Sequence, residues 1–501
     1  MTYPPSEVAT SSLATAEVSG CLASSRTVAV AAPAAGALAK ITRQSLMNMA
    51  GGVISQGLKF LVFVLIARHF APTEFGEFSF AWAVNSFIFV IATFGLPTFG
   101  ARRVSQNGAI GSRFALEMFL CRCGLGLAGT LLGEVLVLVQ PHANVTEVWL
   151  VGIFGVSNVA QAGIFDWAFQ GLGRLDISAL LNITWQALWL VLTSIGFRFG
   201  AGLRFVGASM VLSAGLTSGL SYLLLRQYWD REAGAVAKQI LRSSWQLFRA
   251  GATLGKATVI ITVLVWSDTL IVRLLRGDQA VALYAAGNRA SLALAMLASL
   301  YVQGAFPSLT QAASRSQTEF GRSFQLCYED IALYFVPGAL WGMFFAPEIL
   351  LLLFQRPDYL AAATIFRIFQ ITFLLTAFWN LCGMGLFVAF HRDREYQNTL
   401  LTTAAMGVPL CVLLTLSFGI TAASAGVLAA QAFCLALFCW RGREHLGVSH
   451  RSALAWPCAA GMGASLLSKA FGWGLIGSGM LLAAAYAVLF SFRYRASFSR
   501  P

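Results

Sequence analysis

Long apolar stretches broken by short polar turns run along the chain from about residue 48 to about residue 491. A helix needs about 20 apolar residues to cross the hydrocarbon of a bilayer. Fourteen stretches qualify, near 48–68, 77–100, 114–139, 147–170, 176–197, 205–225, 247–272, 280–306, 327–354, 361–390, 398–418, 422–440, 452–470 and 473–491. The fifth carries Asn182 and Gln186 and the last two sit close together, so the predicted range is 12–14 spans. The longest polar connection, about 226–246, reads as an amphipathic, basic surface segment. The predicted fold is an all-α, polytopic membrane protein. Residues 1–44 are rich in Ala, Ser, Thr and Val and lack a basic stretch leading into a clean apolar core. They read as a disordered cytoplasmic tail, not a signal peptide.

Composition narrows the class further. Of 501 residues 57% are hydrophobic and only 11% charged, with a mean hydropathy of +0.72. A soluble domain carries about 25% charged residues, so this chain cannot clothe itself in a water-facing surface. Its net charge of +13 would otherwise suggest nucleic acid. With the N-terminus in the cytoplasm, however, 22 of the 34 Lys and Arg residues fall on cytoplasmic segments and seven on outer ones. That bias sets the orientation, with both termini cytoplasmic, and accounts for the charge without nucleic acid. The nine cysteines and five histidines show no metal-ligand spacing. No Walker loop and no nucleophile–base pair stands out, and no loop is large enough for a catalytic domain. The chain therefore reads as a non-enzyme without a metal or cofactor.

The first twelve spans divide into two halves. LIARHFAPTEFGEF (65–78) matches LIVRLLRGDQAVALY (270–284), each a helix, an arginine, a short polar turn and another helix. GLPTFGARR (95–103) matches AFPSLTQAASR (305–315), each closing a helix with a proline, Pro97 or Pro307, before a basic turn. Six spans per half is an even number, so the halves share one orientation. Such parallel repeats serve alternating access around a site between them. The predicted organisation is a tail at 1–44, a first lobe at 45–226, a linker at 227–246, a second lobe at 247–440, and two additional helices with a short tail at 441–501.

These stretches, with FDWAFQGLGRLDISALLNI and PEILLLLFQRPDYLAAATIFRIFQ, make the region 45–440 resemble the polysaccharide transporter branch of the multidrug/oligosaccharidyl-lipid/polysaccharide exporter superfamily, the O-antigen and exopolysaccharide flippases. The resemblance implies two six-helix lobes in a V around a central cavity, with helices 1, 2, 7 and 8 beside it. It implies transport of an undecaprenyl-diphosphate-linked oligosaccharide across the inner membrane, in lipid surroundings, alongside polymerase and chain-length or export proteins. The rival functions are a cation-coupled drug exporter or a peptidoglycan-precursor flippase of the same superfamily, and a membrane-embedded polymerase or ligase.

Charges inside spans are costly and commonly face a bundle interior or a wet cavity. At 1.5 Å per residue, Lys59 lies about 16 Å into its span, Arg122 about 12 Å, and Lys256 and Arg289 about 13 Å each. The carboxylates lie nearer the span ends, so the deep charge is positive and suits an anionic ligand such as a diphosphate. Lys59, Lys256 and Arg289 are the first candidates for substrate binding, and Arg122 a weaker one. Candidate gate or coupling residues are Asp166 and Arg174, which flank a cytoplasmic turn, with Asp268, Arg68 and Arg273. For Asp268, in WSDTL, bracing of the turn that holds Arg273 and Arg276 is the readier expectation.

Overall fold

The computed structural model describes residues 35–140, 144–230, 237–444 and 450–498. Most of the predicted N-terminal tail, residues 1–34, lies outside them, while Ala35–Gln44 is helical. The packing below is that of the chain from Ser45 onward.

The first half comprises α1 (Ala35–His69), α2 (Pro72–Thr93), α3 (Leu96–Asn107), α4 (Ser112–Leu138), α5 (Val145–Gln161), α6 (Asp166–Gly171), α7 (Leu175–Arg198) and α8 (Leu203–Leu225). The second comprises α9 (Ala237–Arg276), α10 (Asp278–Arg315), α11 (Gln317–Phe344), α12 (Ala346–Phe354), α13 (Ala363–Asn380), α14 (Asp393–Phe418) and α15 (Ile420–Arg441). Two more helices follow, α16 (His450–Ala470) and α17 (Leu475–Phe498). A two-residue parallel pair, β1 (Ile110–Gly111) with β2 (Trp229–Asp230), ties two turns together.

Every predicted span falls on a helix or a broken pair of helices. Among the described residues eleven stretches are long and apolar enough to cross a bilayer, and α11 with α12, bent by 83°, makes a twelfth. The thirteenth and fourteenth predicted spans fall on α16 and α17, where the apolar run of α17, Leu475–Ser491, is shorter than the others. Large apolar side chains such as Leu131, Leu136, Leu212 and Leu413 are exposed. Exposed apolar surface on this scale marks a lipid-facing perimeter. The chain is a multi-pass membrane protein.

Helix interruptions shape the bundle. Phe94 and Gly95 both take left-handed conformations, φ 31° and 75°, so the second span breaks and Pro97 opens α3. The matching Pro307 instead stays inside continuous α10, eight residues before its end. The two prolines thus differ: one starts a helix after a left-handed turn, the other is absorbed with αR neighbours. Another interruption is a π-helical stretch, Leu381–Val388, through Gly383 and Gly385. There the Gly383 backbone lies against the Tyr396 ring. Helix α9 begins at Ala237, so the second half of the predicted linker runs straight into the seventh span.

The core explains how the halves meet. Call the end of the bundle carrying Arg102, Arg103 and Arg113 the basic face. At the opposite face one hydrophobic cluster takes Phe75, Phe78, Trp82, Phe154 and Trp189 from the first half and Ala282, Phe354, Tyr359 and Phe366 from the second. Toward the basic face the clusters separate: one around Leu96, Met118, Trp167 and Phe169, another around Leu309, Phe320, Phe378 and Phe438. In lipid, close van der Waals packing holds helices together, so the halves share one core at the opposite face, while toward the basic face only the start of α9 joins the first-half cluster, through Leu247 and Phe248. Gly76 permits the fusion: its α-carbon packs on the Asp278 backbone, leaving no room for a side chain.

Candidate functional site

A cavity of about 230 Å³ lies between the halves. Helix α1 lines it with Val53, Gln56, Gly57, Lys59, Phe60 and Phe63, which recur at the three- and four-residue spacing of helix faces. Trp82 comes from α2, Trp266 from α9, and Arg289, Leu292, Leu297 and Leu300 from α10. The walls therefore belong to spans 1, 2, 7 and 8.

Arg289 is 6% exposed. Its guanidinium carbon sits 4.2 Å from the Trp266 ring centre and 5.1 Å from that of Phe63. The two aromatic rings flank the cation, and among the described residues no hydrogen bond or ion pair uses its donors; Nε is buried and unpartnered. Lys59 feels the charge of Arg289 and likewise has no partner among the described residues. The buried Oε1 of Gln56 is unpartnered too. Two cations and an amide thus face one space whose described lining contains no carboxylate.

Behind this wall lies Asp268. Its carboxylate accepts from Tyr284 Oη at 2.7 Å, from its neighbour Thr269 N at 2.6 Å and from Thr269 Oγ1 at 3.3 Å. It acts on Arg289 through its field without a direct bond. Asp268 therefore holds Tyr284 and its own helix, and does not brace the turn with Arg273 and Arg276.

Of the other buried arginines, Arg273 is ion-paired, while Arg122 Nε, like that of Arg289, is buried without a hydrogen-bond partner. Arg122 Nη1 donates to the carbonyls of Ala162 (3.4 Å) and Ile164 (3.3 Å), freed where α5 ends before α6, and Asp166 lies nearby. It sits inside the first half, away from the cavity. Arg273 is paired with the fully buried Glu147 at 2.8 Å, also contacts Asp278, and lies over the Phe80 ring. Lys256 is exposed and does not line the cavity. Arg174 chelates Asp176 with bonds of 3.1 and 3.0 Å and donates to Tyr228 Oη at 2.6 Å, so it does not pair with Asp166. The hydrogen bonds to Asp176 push the Arg174 pKa above its usual value.

At the opposite face the two halves clasp. Arg68 Nε and Nη2 donate to the carbonyls of Leu353 (2.6 Å) and Leu352 (2.8 Å) at the end of α12. In return Arg356 Nε donates to the Arg68 carbonyl at 3.3 Å, and Tyr359 Oη donates to the Ala67 carbonyl at 3.4 Å. Helix C-termini present unpaired carbonyls and partial negative charge, which arginine complements. Arg68 and Arg273 match in the internal repeat, and each crosses to the other half: Arg68 to α12, Arg273 to Glu147 at the start of α5. Glu147, Arg356 and Tyr359 were not singled out from sequence. For Glu147 the signal was visible: Asn144 and Glu147 form a capping box at the start of α5.

This fold is similar to that of a lipid II flippase, MurJ, in an inward closed conformation (TM-score 0.66, 10% identity, covering 91% of this chain and 99% of that one). It is similar to an outward-facing multidrug resistance MATE family transporter of the MOP superfamily (0.55, 15%, 83% and 96%). It is also similar to a MOP superfamily transporter from Pyrococcus furiosus, described as having a binding pocket of reverse polarity (0.53, 15%, 83% and 96%). Identities this low establish the shared architecture: two six-helix lobes, here with two further helices. No curated protein matches in sequence. The family described as polysaccharide biosynthesis protein matches residues 41–313, more than half of the chain. By that match, and in line with the resemblance in its sequence, the chain belongs to the polysaccharide biosynthesis protein family.

Proposed function

We propose that the protein moves an undecaprenyl-diphosphate-linked oligosaccharide from the cytoplasmic to the outer leaflet of a bacterial inner membrane, with Lys59 and Arg289 receiving the diphosphate. The observation that carries this reading is Arg289: a buried guanidinium, flanked by aromatic rings, whose donors have no hydrogen-bond partner among the described residues and which faces the cavity. A desolvated cation without a partner is costly, and a planar fork of N–H groups fits phosphate oxygens. The absence of carboxylates among the described lining residues weighs against a pocket for drug cations.

In this reading the basic face is cytoplasmic and both termini lie there. The shared core and the arginine clasp then close the outer side. A cavity of about 230 Å³ is smaller than the ~300–1,000 Å³ typical of ligand sites, so the basic face must part to admit the sugar. The prenyl chain stays in lipid between the lobes. Opening at the outer face requires Arg68, Arg356 and Arg273 to release their partners, which makes Arg68 and Arg273 gate residues. Sugar identity, a polymerase and chain-length or export partners belong to the same proposal.

The test is equilibrium binding to purified protein in nanodiscs. Undecaprenyl diphosphate should bind, the uncharged prenyl alcohol should bind at least tenfold more weakly, and cationic dyes should not compete. Equal affinity for the alcohol and the diphosphate would remove the anion-site reading.

A further inference from the structure

The two additional helices touch the core at an informative place. Span 9 contains Pro337, which has no backbone N–H and weakens the helix around it. In an unbroken helix the Gly338 N–H pairs with the Tyr334 carbonyl, four residues back. Here the hydroxyl of Tyr486, on α17, accepts from Gly338 N at 3.0 Å and donates to Tyr334 O at 2.7 Å. One side chain thus engages both backbone groups beside the proline. Helix α16 meets the same spot: a Cβ on Gly461 would stand 2.7 Å from the Pro337 α-carbon. Near the end of α11, Trp341 Nε1 donates to Ser478 Oγ at 3.1 Å.

Beyond Pro337, span 9 reaches the 83° bend into α12. Helix α12 ends in the carbonyls that Arg68 holds. Pro337 and that bend are about 12 Å apart at 1.5 Å per residue, so a change of about 10° in the kink shifts α12 by about 2 Å. Hydrogen bonds of 2.6–2.8 Å do not survive such a shift.

We propose that α16 and α17 form a brace that sets the bend of span 9 through the Tyr486 hydroxyl, and thereby controls whether the outer clasp closes. The proposal rests on the reading of the Arg68 clasp as the outer gate. A plain tether would act through any contact between α17 and span 9, Ser478 included. A brace acts only through the two backbone groups flanking Pro337, Tyr334 O and Gly338 N.

The experiment uses the full chain in nanodiscs, with native cysteines replaced and spin labels at Phe199 and Phe418, exposed positions at the outer ends of the two halves. Pulsed dipolar spectroscopy reads their separation. Tyr486→Phe keeps the ring and removes the hydroxyl; it should at least double the long-distance population. Pro337→Ala restores the missing N–H and should abolish the effect of Tyr486→Phe. Ser478→Ala should leave the distances unchanged. The brace is overturned by an unchanged distribution in Tyr486→Phe, by an equal shift in Ser478→Ala, or by a Tyr486→Phe effect that persists with Pro337→Ala. Arg68→Gln on the same labels tests the gate separately. If it opens the outer side and Tyr486→Phe does not, only the brace fails; if it does nothing, the gate reading itself fails.

Discussion

Arg289→Gln should weaken binding of undecaprenyl diphosphate by about 10- to 100-fold, the loss expected when charge-assisted hydrogen bonds worth about 1.5–3 kcal/mol disappear. Glutamine keeps polarity and some reach but loses the cation and the fork. The protein should fold at least as well, because the substitution removes a buried, unpartnered charge. Thermal unfolding should show an unchanged or raised midpoint while affinity falls. Arg289→Lys should recover part of the affinity as a point charge without the planar fork of N–H donors. A variant with lower stability and normal affinity would make Arg289 a packing residue.

Arg273→Met should have the opposite signature. Glu147 is fully buried and Arg273 nearly so, and each belongs to a different half. Removing one partner of a buried pair typically costs about 3–5 kcal/mol, because the other charge is left without compensation. That cost falls on the conformation closed at the outer face. Glu77 and Asp278 stand in the same neighbourhood, so removal of Arg273 leaves several carboxylates facing one another. The long-distance population between labels at Phe199 and Phe418 should become dominant. Replacing both partners, Arg273→Met with Glu147→Leu, should return closure to near the wild-type level, since an apolar pair of similar volume is often as stable as the ion pair. An outer distance unchanged in the single variant would contradict the gate.

The fold was legible because the bilayer imposes a simple requirement: each crossing needs a long apolar run, and backbone groups must pair within the helix. The breaks were harder. Pro97 and Pro307 look alike in sequence, yet only the first follows a left-handed turn at Phe94 and Gly95. The site was half legible for a geometric reason. Counting residues along a span gives the height of a charge but not the direction in which it points. By height Lys59, Lys256, Arg122 and Arg289 are alike. In the structure Lys59 and Arg289 face the cavity, Lys256 is exposed, and Arg122 turns to the carbonyls of Ala162 and Ile164. Those carbonyls are free because the fourth span breaks there, which no pattern around Arg122 announces. Trp266 and Phe63 were likewise indistinguishable from ordinary packing aromatics until Arg289 was found between them.

The most direct measurement is flipping itself. Purified protein in liposomes would be given a fluorescent undecaprenyl-diphosphate oligosaccharide, with outer-leaflet label destroyed by an impermeant quencher. Wild-type protein should make nearly all of the label accessible over time, and Arg289→Gln, equally well folded, should slow this at least tenfold. If wild-type protein moves no lipid diphosphate, or if Arg289→Gln moves it at the wild-type rate, the cationic cavity is not the path of the head group.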